Sequence, residues 1–202
     1  TQFWYDQQVN GHIHCKWPKC ILKCFSSRDK LLLARAFSTF VRPLLEFSSV
    51  IWCPYYINEI IKIEAVQRAF TKSIGNLRLY TYHERLVILK LDSLQCRRLK
   101  TDLIMCYKIL YGMVDINTSC FFKRSLYDST RGNSLKLAKL QVVSERDKNF
   151  FTNRVINIWN ALPDTIVTSS SVSSFKRNIT LINFSSYLLF YWSYVWYIYI
   201  LM

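Results

Sequence analysis

A mostly helical fold is what this 202-residue chain predicts, and three observations carry that expectation. Gly and Pro number only four each, too few for the many turns of a sandwich or barrel. Apolar side chains recur at three- and four-residue spacing along most of the length. Hydrophobic residues make up 51% of the chain and aromatics 16%, enough to bury a real core. The expected architecture is helical and bundle-like, with one short β segment near residues 134–142 and an uncharged apolar tail. Composition divides it into an N-terminal piece (1–25), a basic helical region (26–112), a loop with a short strand (113–143), C-terminal helices (144–179) and the tail (180–202).

Each element follows from local chemistry. Ser26 and Asp29 fit a capping box, after which Leu33, Phe37, Phe40, Val41, Leu44 and Leu45 line one helical face. Pro43 lies in that stripe without an amide hydrogen to donate, so a kink or break is expected near Arg42. Trp52, Pro54, Tyr55 and Tyr56 make an aromatic corner. Asn58 is then a cap for a helix whose Ile60, Ile63, Val66, Phe70 and Ile74 face one way, ended by Gly75. Thr81 and Glu84 form a second capping box, with His83 an exposed first-turn residue that has no catalytic or metal-binding companion nearby.

Ser93 caps the next helix, which buries Leu99, Leu103, Cys106, Tyr107 and Leu110 and carries Arg97, Arg98, Lys100 and Lys108 on the remainder. Gly112 suits its C-terminal turn. Met113 to Asn133 reads as a loop, and Leu135 and Leu137 alternate with Lys136 as in a short edge strand. Ser144 and Asp147 open a helix striped by Phe151, Val155, Ile158, Trp159 and Leu162, which Pro163 stops.

The formal charge is +14, from 27 Lys and Arg against 13 Asp and Glu, with a pI of about 9.6. Ten cations against four acids fall between Lys62 and Lys108. Such an excess in a folded chain implies a polyanionic partner, nucleic acid or an anionic membrane surface. Seven cysteines in irregular positions point to a reducing intracellular compartment, nuclear or cytoplasmic. His12, His14, Cys15, Cys20 and Cys24 crowd together, but no second ligand pair follows downstream, so the spacing does not make a zinc site and no cofactor is expected. The start at Thr1 suggests a piece of a longer protein.

A series of motifs occurs in one order: Phe40-Val41-Arg42-Pro43-Leu44-Leu45-Glu46-Phe47, Trp52-Cys53-Pro54, Val66-Gln67-Arg68-Ala69-Phe70-Thr71-Lys72 and Tyr82-His83-Glu84-Arg85-Leu86. Arg97-Arg98-Leu99-Lys100-Thr101-Asp102-Leu103, Tyr107-Lys108-Ile109-Leu110-Tyr111-Gly112 and Thr130-Arg131-Gly132-Asn133-Ser134-Leu135-Lys136-Leu137 follow. Phe150-Phe151-Thr152-Asn153-Arg154-Val155 with Trp159-Asn160-Ala161-Leu162-Pro163 is the most specific, and Ser171-Val172-Ser173-Ser174-Phe175-Lys176 closes the series. From Ser26 to Ile179 the chain resembles the segment after the polymerase palm in reverse transcriptases of LINE-type (non-LTR) retrotransposons, especially the jockey-like groups. Phe47 stands where those proteins have Tyr, and Trp17-Pro18 interrupts the helix they continue after His12-Ile13.

The resemblance implies a fragment of an RNA-directed DNA polymerase from a mobile element, holding the thumb or its neighbourhood. The family's palm carboxylates, a Tyr-x-Asp-Asp turn and an upstream Asp, have no counterpart here, so the fragment is expected not to be an enzyme. Its implied partners are RNA and DNA, contacted along the backbone, and the missing palm and fingers. The expected nucleic-acid contacts are Arg68, Lys72, Arg97, Arg98, Lys100, Arg131 and Lys136. From Asn178 to Met202 no residue is charged. Residues 179–202 are long enough for a membrane span with Lys176-Arg177 as its cytoplasmic flank, although the many Tyr and Trp favour an interface. The alternatives for the tail are thus a membrane anchor on a small basic protein, or translation past an old stop; a functionless relic of the element is the third reading of the chain.

Overall fold

Leu33, Phe37, Val41 and Leu45 repeat at every fourth residue, and that ladder sets the first packing face. In a computed structural model, which describes residues 16–125, 133–139 and 141–188, all four are buried and most of the described chain is helical. The chain divides into two compact units, one through Arg97 and one from Arg98. His12, His14, Cys15, Arg131 and the tail beyond Leu188 lie outside the described residues.

In the first unit, α1 (Lys16–Cys24), α2 (Lys30–Phe40), α3 (Arg42–Glu46), α4 (Ile57–Lys72) and α5 (Tyr82–Leu89) precede the start of α6 (Leu94–Leu110). Asp29 caps α2 itself, accepting the Leu32 N–H at 2.7 Å, so the helix begins after Asp29 rather than at a Ser26 box. The break near Pro43 is real: α2 ends at Phe40 and α3 restarts at Arg42 with Pro43 in its first turn, where its missing amide costs nothing. Phe40 and Leu44 turn outward, because the four-residue ladder occupies the buried face and their positions fall beside it. The helix α4 starts at Ile57 behind Tyr56, with Asn58 inside it rather than capping it. Its Ile60, Ile63, Val66 and Phe70 are buried as expected, Phe70 stacking on Phe37 at 4.6 Å. Ser73 closes α4, and Gly75, at φ +44°, opens a 3-10 turn through Leu79. The Thr81–Glu84 box forms in both directions.

Ser93 accepts the Cys96 N–H at 3.2 Å at the head of α6. At its other end Gly112, at φ +63°, completes a reverse turn in which Met113 N–H reaches the Lys108 carbonyl at 2.8 Å. The second unit then holds α7 (Thr118–Phe121), α8 (Glu145–Lys148), α9 (Phe151–Ala161), α10 (Asp164–Val167) and α11 (Val172–Thr180). The expected loop after Met113 therefore contains a helical turn, capped by Asn117. The single helix expected from Ser144 is two, since Asn149 and Asn153 turn their amides onto the Glu145 and Asp147 carbonyls and divert the backbone. Ile156 rather than Ile158 joins Phe151, Val155, Trp159 and Leu162 in the core, where Phe175 stacks on Tyr107 at 4.4 Å.

Among the described residues, the β segment expected near 134–142 is one antiparallel bridge, Arg124 to Leu137. No described helix is long and apolar enough to cross a membrane. Among the described residues α11 ends at Thr180, and Phe184 and Leu188 are buried around a 3-10 turn at Ser185–Tyr187.

Candidate nucleic-acid interface

Two short segments, paired across an antiparallel bridge, bring cations together. Lys123-Arg124-Ser125 runs antiparallel to Lys136-Leu137-Ala138, with the Ser125 N–H donating to the Lys136 carbonyl at 3.0 Å and the Ala138 N–H to the Lys123 carbonyl at 2.8 Å. This register leaves both backbone groups of Leu137 pointing away from the pair. The side-chain amide of Asn160 on α9 takes both, accepting from Leu137 N–H at 2.9 Å and donating to its carbonyl at 2.8 Å. Trp159 Nε1 donates to the Leu135 carbonyl at 2.9 Å, and Asn133 donates to the Trp159 carbonyl at 2.8 Å. Asp164 accepts both the backbone N–H and the hydroxyl of Ser134, which hold its carboxyl below the ordinary range. Leu137 is thereby buried and the ribbon is stapled to the helix behind it.

Lys123, Arg124 and Lys139 are exposed and Lys136 is half-buried, with no acidic residue in 123–125 or 133–139. Residue alternation puts Lys123 and Lys136 on one face and Arg124 on the other. Of these four only Lys136 was expected from the sequence. Lys123 and Arg124 were missed because their neighbourhood arises from pairing across a dozen residues, although a Lys-Arg doublet beside two aromatics was a visible hint.

The other expected contacts are placed differently. Arg97 is bound edge-on by Glu46, its Nη2 donating at 2.9 Å and its Nε to the second oxygen, and Arg42 faces the same carboxylate at 3.7 Å. The Glu46 bond holds the Arg97 guanidinium even more firmly charged. Arg98 is only 4% exposed and so offers no surface to a phosphate in this conformation, contrary to its expected place on the open side of α6. Lys100 is half-buried; it shares a face of α6 with Arg97, Thr101, Ile104 and Lys108 by helical spacing. Arg68 lies with its guanidinium 5.1 Å from the centre of the Tyr82 ring, half-buried. Lys72 is exposed in the last turn of α4, where a cation also complements the helix dipole. Arg131 lies outside the described residues.

The buried carboxylates serve the fold. Glu64 accepts the Tyr82 hydroxyl and the N–H groups of Leu94 at 3.2 Å and Gln95 at 3.3 Å, capping α6 from α4. Asp102 binds Arg154 through both oxygens at 2.8 Å. Burial raises both carboxyls above the usual range. No group of three or more metal-ligating side chains occurs among the described residues, and Cys20 and Cys24 are the only members of the N-terminal His/Cys cluster within them. No protein-family model, no curated protein and no solved structure matches the chain.

Proposed function

We propose that this chain is a non-catalytic fragment of a LINE-type retrotransposon reverse transcriptase, from the region after the palm, and that it grips RNA and DNA through their phosphate backbones inside the cell. The observation that carries the binding is the bridged ribbon, which holds Lys123, Arg124, Lys136 and Lys139 on a backbone stapled to α9. A preorganised cationic ribbon binds phosphate without first paying to order its own backbone. Point-charge contacts of this kind carry no base information, so binding is indifferent to sequence. The excess of +14 adds a long-range attraction to any polyanion. The non-catalytic reading draws support from the two buried carboxylates, one consumed as a helix cap and the other as the partner of Arg154. The parent polymerase's copying of RNA into DNA belongs to the palm, which this chain would pack against.

The test is the affinity of the full chain for a labelled RNA–DNA hybrid, followed by fluorescence anisotropy at low and at moderate salt. Steep weakening with salt is the expected result, since each neutralised phosphate releases condensed counterions. Absence of binding at low salt by a sample whose circular dichroism is helical would overturn the proposal.

A further inference from the structure

Two thiols stand one helical turn apart on α1. Cys20 and Cys24 are both exposed, and their sulfurs are 3.8 Å apart, sharing one S–H hydrogen. Their backbone is held in place before any ligand arrives. Ile21, between them, is buried in the core of the first unit, with Leu22 and Phe25 packed against it. Arg28 closes the end of the helix by donating to the carbonyls of Leu22 at 2.8 Å and Phe25 at 3.4 Å.

The separation of the sulfurs has a chemical meaning. In a tetrahedral thiolate site with metal–sulfur bonds of about 2.3 Å, two sulfurs lie about 3.8 Å apart. The two sulfurs already hold that spacing. Two neighbouring thiolates repel each other, and the hydrogen bond and charge of Cys20 hold the Cys24 thiol above its ordinary range. A soft cation lying between the sulfurs replaces both protons and cancels that repulsion.

We infer that Cys20 and Cys24 form a bidentate dithiol site for a soft, thiol-seeking metal ion of the Zn(II) or Cu(I) class. This inference is independent of the nucleic-acid reading. Binding breaks two S–H bonds, forms two metal–sulfur bonds and releases two protons, with no electron transferred. Affinity therefore rises with pH. Two sulfurs fill half of the tetrahedral shell that this spacing fits, so for either ion water or another donor completes it. The other described cysteines offer no comparable arrangement: Cys106 is buried, and burial raises its thiol further.

The experiment uses the full chain, fully reduced and under anaerobic conditions, in competition with a chromogenic chelator, one arm with Cu(I) and one with Zn(II). Cys20→Ser, Cys24→Ser and Cys120→Ser are compared with the unsubstituted chain, and thiol alkylation with and without metal is mapped by mass spectrometry. Loss of a direct ligand is expected to weaken retention about tenfold or more in the first two variants, since even outer-shell partners cost that much. Cys120→Ser is expected to match the unsubstituted chain, and metal to slow alkylation at Cys20 and Cys24. Tight Cu(I) with weak Zn(II), or tight binding of both, supports the site and says which ion it suits. Retention undiminished in Cys20→Ser and Cys24→Ser, or protection confined to other cysteines, would overturn it. Both positions are exposed, so serine leaves the core intact.

Discussion

Tyr82 donates its hydroxyl to the carboxylate of Glu64, and through that bond α5 and α4 jointly hold the start of α6. Gln67 adds to the arrangement, donating to the Tyr82 oxygen and to the Asp92 carbonyl, each at 3.0 Å. Arg68 and Arg85 lie 5.1 and 5.6 Å from the Tyr82 ring centre, which favours the ring where it is. Removing Glu64 strands a hydroxyl and two backbone N–H groups in a dry interior. Glu64→Ala is expected to cost about 3 kcal/mol or more, and Tyr82→Phe about 1 kcal/mol, because the phenyl ring keeps its packing. Urea midpoints followed by circular dichroism measure both. Equal costs for the two variants would mean that the carboxylate does not cap α6.

The same carboxylate predicts a pH dependence. Burial pushes Glu64 above the ordinary carboxylate range, against the pull of its bonds from Tyr82, Leu94 and Gln95. A raised folded pKa means that the folded chain binds the proton more tightly than the unfolded one. The stability this contributes is full below the ordinary range and is lost as pH rises through the raised value. Glu84, lowered by its bonds to Thr81, and Asp164, lowered by Ser134, work the other way: their contribution is present above the ordinary range and lost as pH falls. Glu64→Gln cannot titrate, so its stability relative to the unsubstituted chain is expected to improve as pH rises from about 5 to about 7. A difference that stays constant over that window would show that Glu64 does not titrate differently on folding.

Asp102 and Arg154 make a comparable pair within the second unit, joined by two parallel bonds, with Arg154 also donating to the Asn149 carbonyl at 3.1 Å. Their side chains are only 8% and 15% exposed. Breaking such a pair leaves one charge buried alone, so Asp102→Ala and Arg154→Ala are each expected to cost about 3–5 kcal/mol. Asp102→Leu with Arg154→Met is expected to recover only part of that loss, since apolar replacement of a buried pair is often neutral but the buried Arg98 guanidinium also loses the Asp102 charge. Thermal unfolding of the singles and the double gives the coupling directly, and simple additivity would deny it.

What could be read in the sequence was what is decided within one or two turns. Leu33, Phe37, Val41 and Leu45, the Thr81–Glu84 box, the break at Pro43 and the turn at Gly112 all depend on neighbours a few residues away, and each stands where the spacing put it, whereas Phe40 and Leu44, placed on the same stripe, face outward. The misplaced cations share a cause in long-range pairing, whereas the shifted caps at Asp29 and Tyr56 are local. Arg97, read as a surface cation, meets Glu46 from 51 residues earlier, and Asp102 meets Arg154 52 residues later. A helical wheel shows that Arg98 shares a face with Asp102, but not that both are buried there. The ribbon shows the same limit: its cations come from two separate segments of the chain, and backbone pairing brings them together.

Asn160 connects that fold to the proposed binding, because its amide satisfies both backbone groups of Leu137. Asn160→Ala removes no charge, yet it frees the strand that carries Lys136 and Lys139. The loss of two bonds to buried backbone is expected to cost about 2 kcal/mol of stability. If the ribbon grips phosphate, the same variant also weakens binding to an RNA–DNA hybrid while leaving the slope of log affinity against log salt nearly unchanged. Lys123→Gln with Lys136→Gln and Lys139→Gln is expected to do the reverse, keeping the fold and lowering that slope by about 2–3, close to one for each phosphate that is no longer neutralised. Anisotropy titrations at several salt concentrations separate the two effects. A triple variant whose slope equals that of the unsubstituted chain would move the phosphate grip off the ribbon and onto other surface cations, the face of α6 around Lys100 and Lys108 first.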